Sequence, residues 1–326
     1  MILIIMITIL IPRKKMRPRL VAGIVVLLLL AGCGNAAGDG DEGLYIVATT
    51  SIWGDVVGNI VGDDARVEVL IPTGADAHDF EPTSAQIASL QEADLVIANG
   101  LGLEETMKDT LDTALADGAN IYEVAPHLDP LPYSGDVHDD GEKGDDHDGD
   151  DPHVWFDPSR VATATEVLAE RLAEVDGSID WRQRAGDYAA ELVAADDEIS
   201  QIVSAIDPER RKLVTNHEAL GYFARRYDFE MIGVVIPGGS TLADPSSADL
   251  AELVEEIEHE EVPAIFAETS QPTRLAEAVA AEGGRDVSVV ELFTESLGEA
   301  GSEADSLIGM LVTDARLIAE ALTRTR

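Results

Sequence analysis

Short apolar runs alternate with longer segments of helical periodicity from residue 44 to the C-terminus. Such runs, rich in valine, isoleucine and leucine, are typical of strands buried in parallel sheets. The first half of the chain has predicted strands at 44–48, 66–71, 94–98 and 120–124. The second half repeats the rhythm at 212–215, 230–235, 264–267 and 287–291. Strands that alternate with helices predict an α/β fold of two lobes, each a mainly parallel sheet with flanking helices.

The most regular segment lies between these halves. Apolar residues recur at spacings of four and three from Trp181 to Ile206, and Pro208 is the first proline after them. This stripe predicts one long helix over residues 179–207. At 1.5 Å per residue, about 26 helical residues would span roughly 39 Å, enough to run along both lobes. We interpret it as a backbone helix that joins a lobe at 44–178 to a lobe at 208–326. A coiled coil that binds a partner is the alternative.

The N-terminus has the pattern of an export signal. Arg17 and Arg19 precede an apolar run at 20–31, which ends in Leu30-Ala31-Gly32-Cys33. The run is too short for a confident membrane span, and small residues at its end are typical of a cleavage site. Cys33 is the only cysteine, so it forms no disulfide within the chain. Its position resembles a bacterial lipobox, in which the cysteine becomes the acylated first residue.

We therefore predict a lipoprotein signal peptide at 1–33 and a flexible, glycine-rich tether at 34–43. An uncleaved anchor with an incidental cysteine is the alternative. Met1 and Met16 are both candidate start residues, because a second apolar stretch precedes the basic cluster.

The charge balance is strongly acidic, with 63 aspartate and glutamate residues against 22 lysine and arginine residues, a net charge of −41. This charge excludes nucleic acid as a natural partner, because the phosphate backbone is itself negative. It favours cations without selecting among them. It also fits a halophilic surface, on which salt screens the self-repulsion.

Four candidate metal ligands stand far apart in segments of distinctive composition. His78 lies in GADAHDFEP, His153 in DPHVWFDP, His217 in TNHEALGYFARRY and Glu295 in ELFTESLG. The gaps are too long for a local metal loop, so only the folded lobes could bring these residues together. Three imidazoles and one carboxylate suit a tetrahedral divalent ion, above all zinc.

Each candidate also has an ordinary structural interpretation. His78 is in a turn-rich stretch where a histidine is usually solvated, and His153 precedes an apolar run that favours a buried, hydrogen-bonded ring. Asp151 and Asp157 flank His153 and could orient its imidazole from outside the ligand set. His127 and His259 have no motif around them and are predicted to be surface residues.

The segment 134–151 has almost no apolar residues and is predicted to be a mobile acidic loop. His138 and His147 stand among its carboxylates and form a possible auxiliary metal-collecting loop. A halophilic insertion without such a role is an equally open interpretation.

These motifs, in this order, resemble the zinc- and manganese-binding lipoproteins of bacterial ABC importers. The resemblance covers nearly the whole chain after residue 44. It implies two α/β lobes joined by a backbone helix, with the metal between them. By this resemblance His78 and His153 come from the first lobe, and His217 and Glu295 from the second. The family more often has aspartate at the last position, whereas this chain has Thr294-Glu295-Ser296.

The resemblance implies a monomeric, lipid-anchored extracytoplasmic receptor, not an enzyme, that delivers a divalent metal to an ABC permease. Three histidines favour zinc, and manganese is the alternative cargo. A zinc hydrolase is the rival from another class, because catalytic zinc commonly keeps only three protein ligands. Against it, the chain has no His-Glu-x-x-His segment and no Gly-x-Ser-x-Gly elbow. A surface adhesin would explain the anchor but not the four ligand segments.

Overall fold

The computed structural model describes residues 43–133, 149–283 and 287–324. The first sheet consists of β1 (Leu44–Ala48), β2 (Ala65–Val69), β3 (Leu95–Ala98) and β4 (Ile121–Glu123). The second consists of β5 (Lys212–Thr215), β6 (Glu230–Val234), β7 (Ala264–Glu268) and β8 (Ser288–Leu292). All strand pairs are parallel, and the sheets have equivalent orders, β2-β1-β3-β4 and β6-β5-β7-β8. The predicted pair of α/β lobes is confirmed.

Helices flank both sheets. Those of the N-terminal lobe are α1 (Ser51–Val61), α2 (Ser84–Glu92), α3 (Lys108–Ala116) and α4 (Pro158–Val175). The long helix α5 (Trp181–Val203) follows. The C-terminal lobe contributes α6 (Gly221–Tyr227), α7 (Ser247–His259), α8 (Arg274–Glu282) and α9 (Leu307–Thr323). Among the described residues, no helix is both long and apolar enough to span a bilayer.

Helix α5 is the predicted backbone helix. Its apolar stripe is buried against α1 and α4 of the N-terminal lobe and against α9 of the C-terminal lobe. The helix has 23 residues and ends at Val203, four residues before the predicted end. The amides of Ala205 and Ile206 bond to carbonyls three residues back, because the chain tightens before Pro208, which disfavours helix at the residue preceding it.

The hydrophobic core is continuous between the lobes. One buried cluster includes Ile46 and Trp53 of the N-terminal lobe, Leu192 of α5, and Phe266 and Met310 of the C-terminal lobe. A smaller cluster, around Val214 and Ile257, lies under α7 and α8 on the second sheet. Because the larger core is shared, movement of one lobe against the other disturbs buried apolar contacts.

Helix α3 begins later than the helical periodicity of its sequence suggests. The pattern favours a helix over 104–116, whereas α3 begins at Lys108. The buried Glu104 carboxylate instead accepts hydrogen bonds from the amides of Asn99 and Gly100 and from the Thr49 hydroxyl. These bonds hold residues 100–107 in a turn that the local sequence does not reveal.

The predicted signal peptide 1–33 with Cys33, most of the tether 34–43, and His138 and His147 of the acidic loop lie outside the described residues. The lobe boundaries 44–178, 179–207 and 208–326 stay predictions.

Candidate metal centre

The four candidate ligands come together where the lobes meet. His78 lies in the loop after β2, and His153 precedes the short 3-10 helix Val154–Phe156 that leads into α4. His217 follows the carboxyl end of β5, and Glu295 follows that of β8. In open parallel sheets, the loops at the carboxyl ends of the strands form the binding crevice. All four side chains are buried, with at most 2% of any residue exposed.

The donor atoms form a compact group. One donor atom of each residue lies within 4.8 Å of every other. The Nε2 atom of His153 is 3.1 Å from Nε2 of His217 and 3.2 Å from Oε1 of Glu295. Zinc bonds of about 2.0–2.1 Å place tetrahedral ligands about 3.3–3.4 Å apart. The distances among His153, His217 and Glu295 are therefore close to those of a tetrahedral zinc site, and His78 lies slightly farther out.

The carboxylate of Glu295 lies within 4 Å of a ring nitrogen of each imidazole. Its Oε1 is 3.5 Å from Nε2 of His217, and its Oε2 is 3.9 Å from Nε2 of His78. Within the described part of the chain, both oxygens of Glu295 and both ring nitrogens of His78 are buried without a hydrogen-bond partner. Unpaired buried polar atoms are costly and rare, so their concentration at one point indicates a ligand-binding site.

Two carboxylates orient two of the imidazoles. Asp151 Oδ1 is 2.7 Å from Nδ1 of His153, and Glu268 bonds to Nδ1 of His217. This arrangement directs each Nε2 into the centre, as metal-binding histidines require. The expectation for Asp151 is met. Asp157 instead caps α4, where it accepts the amide of Ser159 at 3.0 Å.

The N-terminal lobe binds the loop that carries Glu295. The Trp155 indole N–H donates to the carbonyl of Thr294 at 3.1 Å. The amide of Gly74 donates to the Ser296 hydroxyl at 2.8 Å, and the amide of Leu297 donates to the Ser51 hydroxyl at 3.0 Å. The position of Glu295 therefore depends on both lobes.

Residues 46–321 match the family described as zinc-uptake complex component A, periplasmic. The chain belongs to this family. Its members are solute-binding proteins of ABC transporters and not enzymes.

Named relatives of the zinc-uptake component family differ in the metal they bind. The zinc-binding protein TroA of Treponema pallidum is 31% identical over 318 residues, which are 94% of this chain and 99% of TroA. The manganese-binding lipoprotein MntA of Halalkalibacterium halodurans is 30% identical over 292 residues, which are 88% of this chain and 92% of MntA.

Solved structures of similar proteins have the same fold. The periplasmic zinc-binding protein TroA superposes with a TM-score of 0.77 at 30% identity, covering 86% of this chain and 100% of TroA. A manganese-bound periplasmic metal-binding protein from Candidatus Liberibacter asiaticus gives 0.73 at 25% identity, covering 86% and 99%.

In this pocket the three imidazoles and the carboxylate of Glu295 shift one another's pKa values. Burial alone disfavours the charged form of each imidazole. For His78 the effect of burial outweighs the attraction of Glu295 and lowers the pKa to about 3. For His153 burial is outweighed by Glu295 and Asp151, which raise the pKa to about 9. For His217 burial is outweighed by Glu268 and Glu295, and the pKa lies well above its usual value.

The pKa of Glu295 moves the opposite way. Burial would raise it, but the three imidazoles, His153 foremost, hold it well below its ordinary value. The carboxylates of Glu295, Asp151 and Glu268 thus favour positive charge at His153 and His217. A divalent cation bound at the same point would supply that positive charge.

Glu268 is the functional residue that the sequence interpretation missed. It is 1% exposed and is the last residue of the buried strand β7. Its place at the carboxyl end of a strand was the available signal, but acidic residues are so frequent in this chain that a single glutamate does not stand out.

The other histidines in the described ranges lie on the surface, as predicted. His127 stacks on Tyr122 with ring centroids 5.0 Å apart, and His259 bonds to Glu260 at 2.8 Å.

Proposed function

We propose that this protein is the extracytoplasmic receptor of a metal ABC importer and binds one zinc ion between its lobes. In this proposal His78, His153, His217 and Glu295 are the four ligands, two from each lobe. One observation carries it: four buried residues each place a donor atom within 4.8 Å of the others, and among the described residues both oxygens of Glu295 and both ring nitrogens of His78 lack a hydrogen-bond partner. The cargo then passes to a membrane permease, the partner that the family implies.

The ligand chemistry favours zinc over manganese. Three imidazole nitrogens and one carboxylate suit a tetrahedral zinc ion, whereas manganese prefers more oxygen ligands and a higher coordination number. Manganese is the second candidate, because Glu295 presents both of its oxygens to the imidazoles and the relative MntA is named for manganese.

A hydrolytic zinc site fits the same geometry less well. Catalytic zinc keeps a ligand position for water, whereas here a fourth protein ligand stands as close to the imidazoles as they stand to each other. The solute-binding role of the family also supports a receptor function over hydrolysis.

We also propose that Cys33 carries the lipid anchor, that the residues before Cys33 are removed, and that 34–43 tethers the receptor to the outer face of the cytoplasmic membrane. The lipobox-like sequence supports this, as do relatives named as lipoproteins. Mass spectrometry of the membrane-extracted protein should find an acylated cysteine at its new N-terminus. Replacing Cys33 with alanine should abolish the acylation, and an unmodified Cys33 in the parent would contradict the proposal.

Competition between metals tests the main proposal. Purified protein, stripped with a chelator and dialysed against equal zinc and manganese, should retain about one zinc per chain and little manganese. Retention of manganese in preference to zinc would reassign the cargo. Retention of neither metal would contradict the receptor.

A further inference from the structure

Two aspartates stand two residues before two of the proposed ligands, in the segments Asp76-Ala77-His78 and Asp151-Pro152-His153. Each accepts the backbone amide of its histidine, with Asp76 Oδ1 at 2.8 Å from the amide of His78 and Asp151 Oδ1 at 2.9 Å from that of His153. The two turns are therefore the same local structure, in which an aspartate fixes the backbone at the histidine.

The two aspartates differ in what else they bind. Asp151 turns to the imidazole of its own histidine. Asp76 forms no hydrogen bond with the His78 ring and instead bonds to residues of the C-terminal lobe. Its Oδ2 accepts the Thr241 hydroxyl at 2.5 Å and also the side-chain amide of Gln271. We call Asp76, Thr241 and Gln271 the Asp76 clasp.

The clasp is a buried link between the lobes at a ligand-bearing turn. Asp76 is 8% exposed and Thr241 is 9% exposed. Thr241 lies between β6 and α7, and Gln271 lies between β7 and α8, so both donors belong to the C-terminal lobe. One carboxylate thus joins the backbone of an N-terminal-lobe ligand to two loops across the cleft.

From this geometry we infer that Asp76 is a positioning residue that sets how fast the bound metal leaves. The inference rests on the proposed function. Of the three imidazoles, His78 is the one without a hydrogen-bonded carboxylate at Nδ1, and its ring lies farther from the other two rings than they lie from each other. Withdrawal of His78 is therefore the natural first step of release, and the turn that carries it moves only when the clasp opens.

The clasp should affect dissociation more than association. Its cross-lobe bonds exist only while the lobes are together, so they stabilise the closed, metal-bound arrangement and are broken in the arrangement that lets the ion out. Capture of an ion ends with the clasp formed, so it does not require these bonds to be broken. Hydrogen bonds to an ionised group are stronger than neutral ones, so losing both donors should speed release by about tenfold or more.

Stopped-flow measurement of zinc release into excess chelator tests the inference. The decisive variant is Thr241→Val with Gln271→Met, which removes both cross-lobe donors and leaves Asp76 and every ligand in place. We expect it to release zinc at least about tenfold faster, with the association rate within about twofold of the parent. Thr241→Ser, which keeps the hydroxyl, should release zinc at the parent rate.

Ser240→Ala is the matched control. The Ser240 hydroxyl also crosses between the lobes, to Glu105 Oε2 at 2.6 Å, but this exposed contact does not hold a ligand-bearing turn. Its removal should leave release unchanged. Asp76→Asn keeps an oxygen for the His78 amide and should accelerate release as the double variant does.

Three outcomes would contradict the role of the clasp without contradicting the proposed receptor function. They are release by the double variant at the parent rate, an equal acceleration of release by Ser240→Ala, and an association rate of the double variant that falls by the same factor as its release rate rises. A parent that binds no zinc would overturn the proposed function itself, and the clasp with it.

Discussion

The Nε2 atoms of His153 and His217 lie 3.1 Å apart, although these residues are separated by 64 positions and belong to different lobes. Each ring is bonded through Nδ1 to a carboxylate, Asp151 or Glu268. In that tautomer a neutral imidazole presents a lone pair at Nε2. Two facing lone pairs repel unless a proton or a metal ion lies between them. This pair of atoms is therefore where the lobes jointly require a cation.

Removing one ligand should abolish tight zinc binding without unfolding the protein. His153→Ala deletes an imidazole that contacts both His217 and Glu295, so chelator competition should show an affinity loss well beyond about tenfold. His127→Ala, on the surface, is the control and should bind zinc like the parent. Parent-like zinc binding by His153→Ala would remove that histidine from the site.

Glu268→Gln should weaken zinc binding even though Glu268 is not a proposed ligand. The neutral amide still reaches Nδ1 of His217 but no longer supports a positive charge on the ring, and changes of this kind typically cost about 10–100-fold in affinity. Chelator competition measures the effect. Glu291→Gln, an exposed residue on β8, is the matched control. Equal affinities of the two variants would show that His217 needs no carboxylate partner.

Zinc affinity should rise steeply with pH and release protons. The pKa of His153 is raised to about 9 and that of His217 also lies well above its usual value, so this pair of rings holds protons at neutral pH when no metal is bound. Binding must displace these protons, and affinity is lost as pH falls below about 9. Calorimetry in buffers of different ionisation enthalpy should find that zinc binding near pH 7 releases protons. Release of none would mean that the metal-free imidazoles are neutral.

Asp314 should make stability depend on pH away from the metal centre. It is 1% exposed on α9, and burial raises its pKa well above its usual value, although the Phe293 amide donates to it at 3.1 Å. The folded state therefore holds this proton more tightly than the unfolded chain. The resulting stability is present at low pH and is lost as pH rises through the folded pKa.

Asp314→Asn should remove that dependence, so its unfolding free energy relative to the parent should increase with pH. Urea unfolding of the metal-free proteins across a pH series measures the difference, with the exposed Asp197→Asn as control. A constant difference between Asp314→Asn and the parent would contradict a buried, proton-binding Asp314.

The sequence predicts the parts of this fold that depend on local pattern. Periodicity and turn composition are local properties, so the sequence alone reveals the strands and the apolar stripe of α5. It also reveals the four ligand segments, around His78, His153, His217 and Glu295. The end of α5 and the start of α3 are not, since they depend on Pro208 and on the contacts of the buried Glu104.

The partners of the ligands are harder to predict because they are non-local. Glu268 lies 51 residues from His217, and Asp76 lies 165 residues from Thr241. In a chain with 63 acidic residues, composition cannot single out the two carboxylates that matter. Only the contacts in the folded protein identify them.

The most direct test of the account is a crystal structure of the zinc-loaded protein with anomalous differences measured on either side of the zinc absorption edge. We predict one strong peak between the lobes, about 2.0–2.2 Å from a nitrogen of His78, His153 and His217 and from an oxygen of Glu295. A principal peak elsewhere, or one that lacks two or more of these four residues, would contradict it.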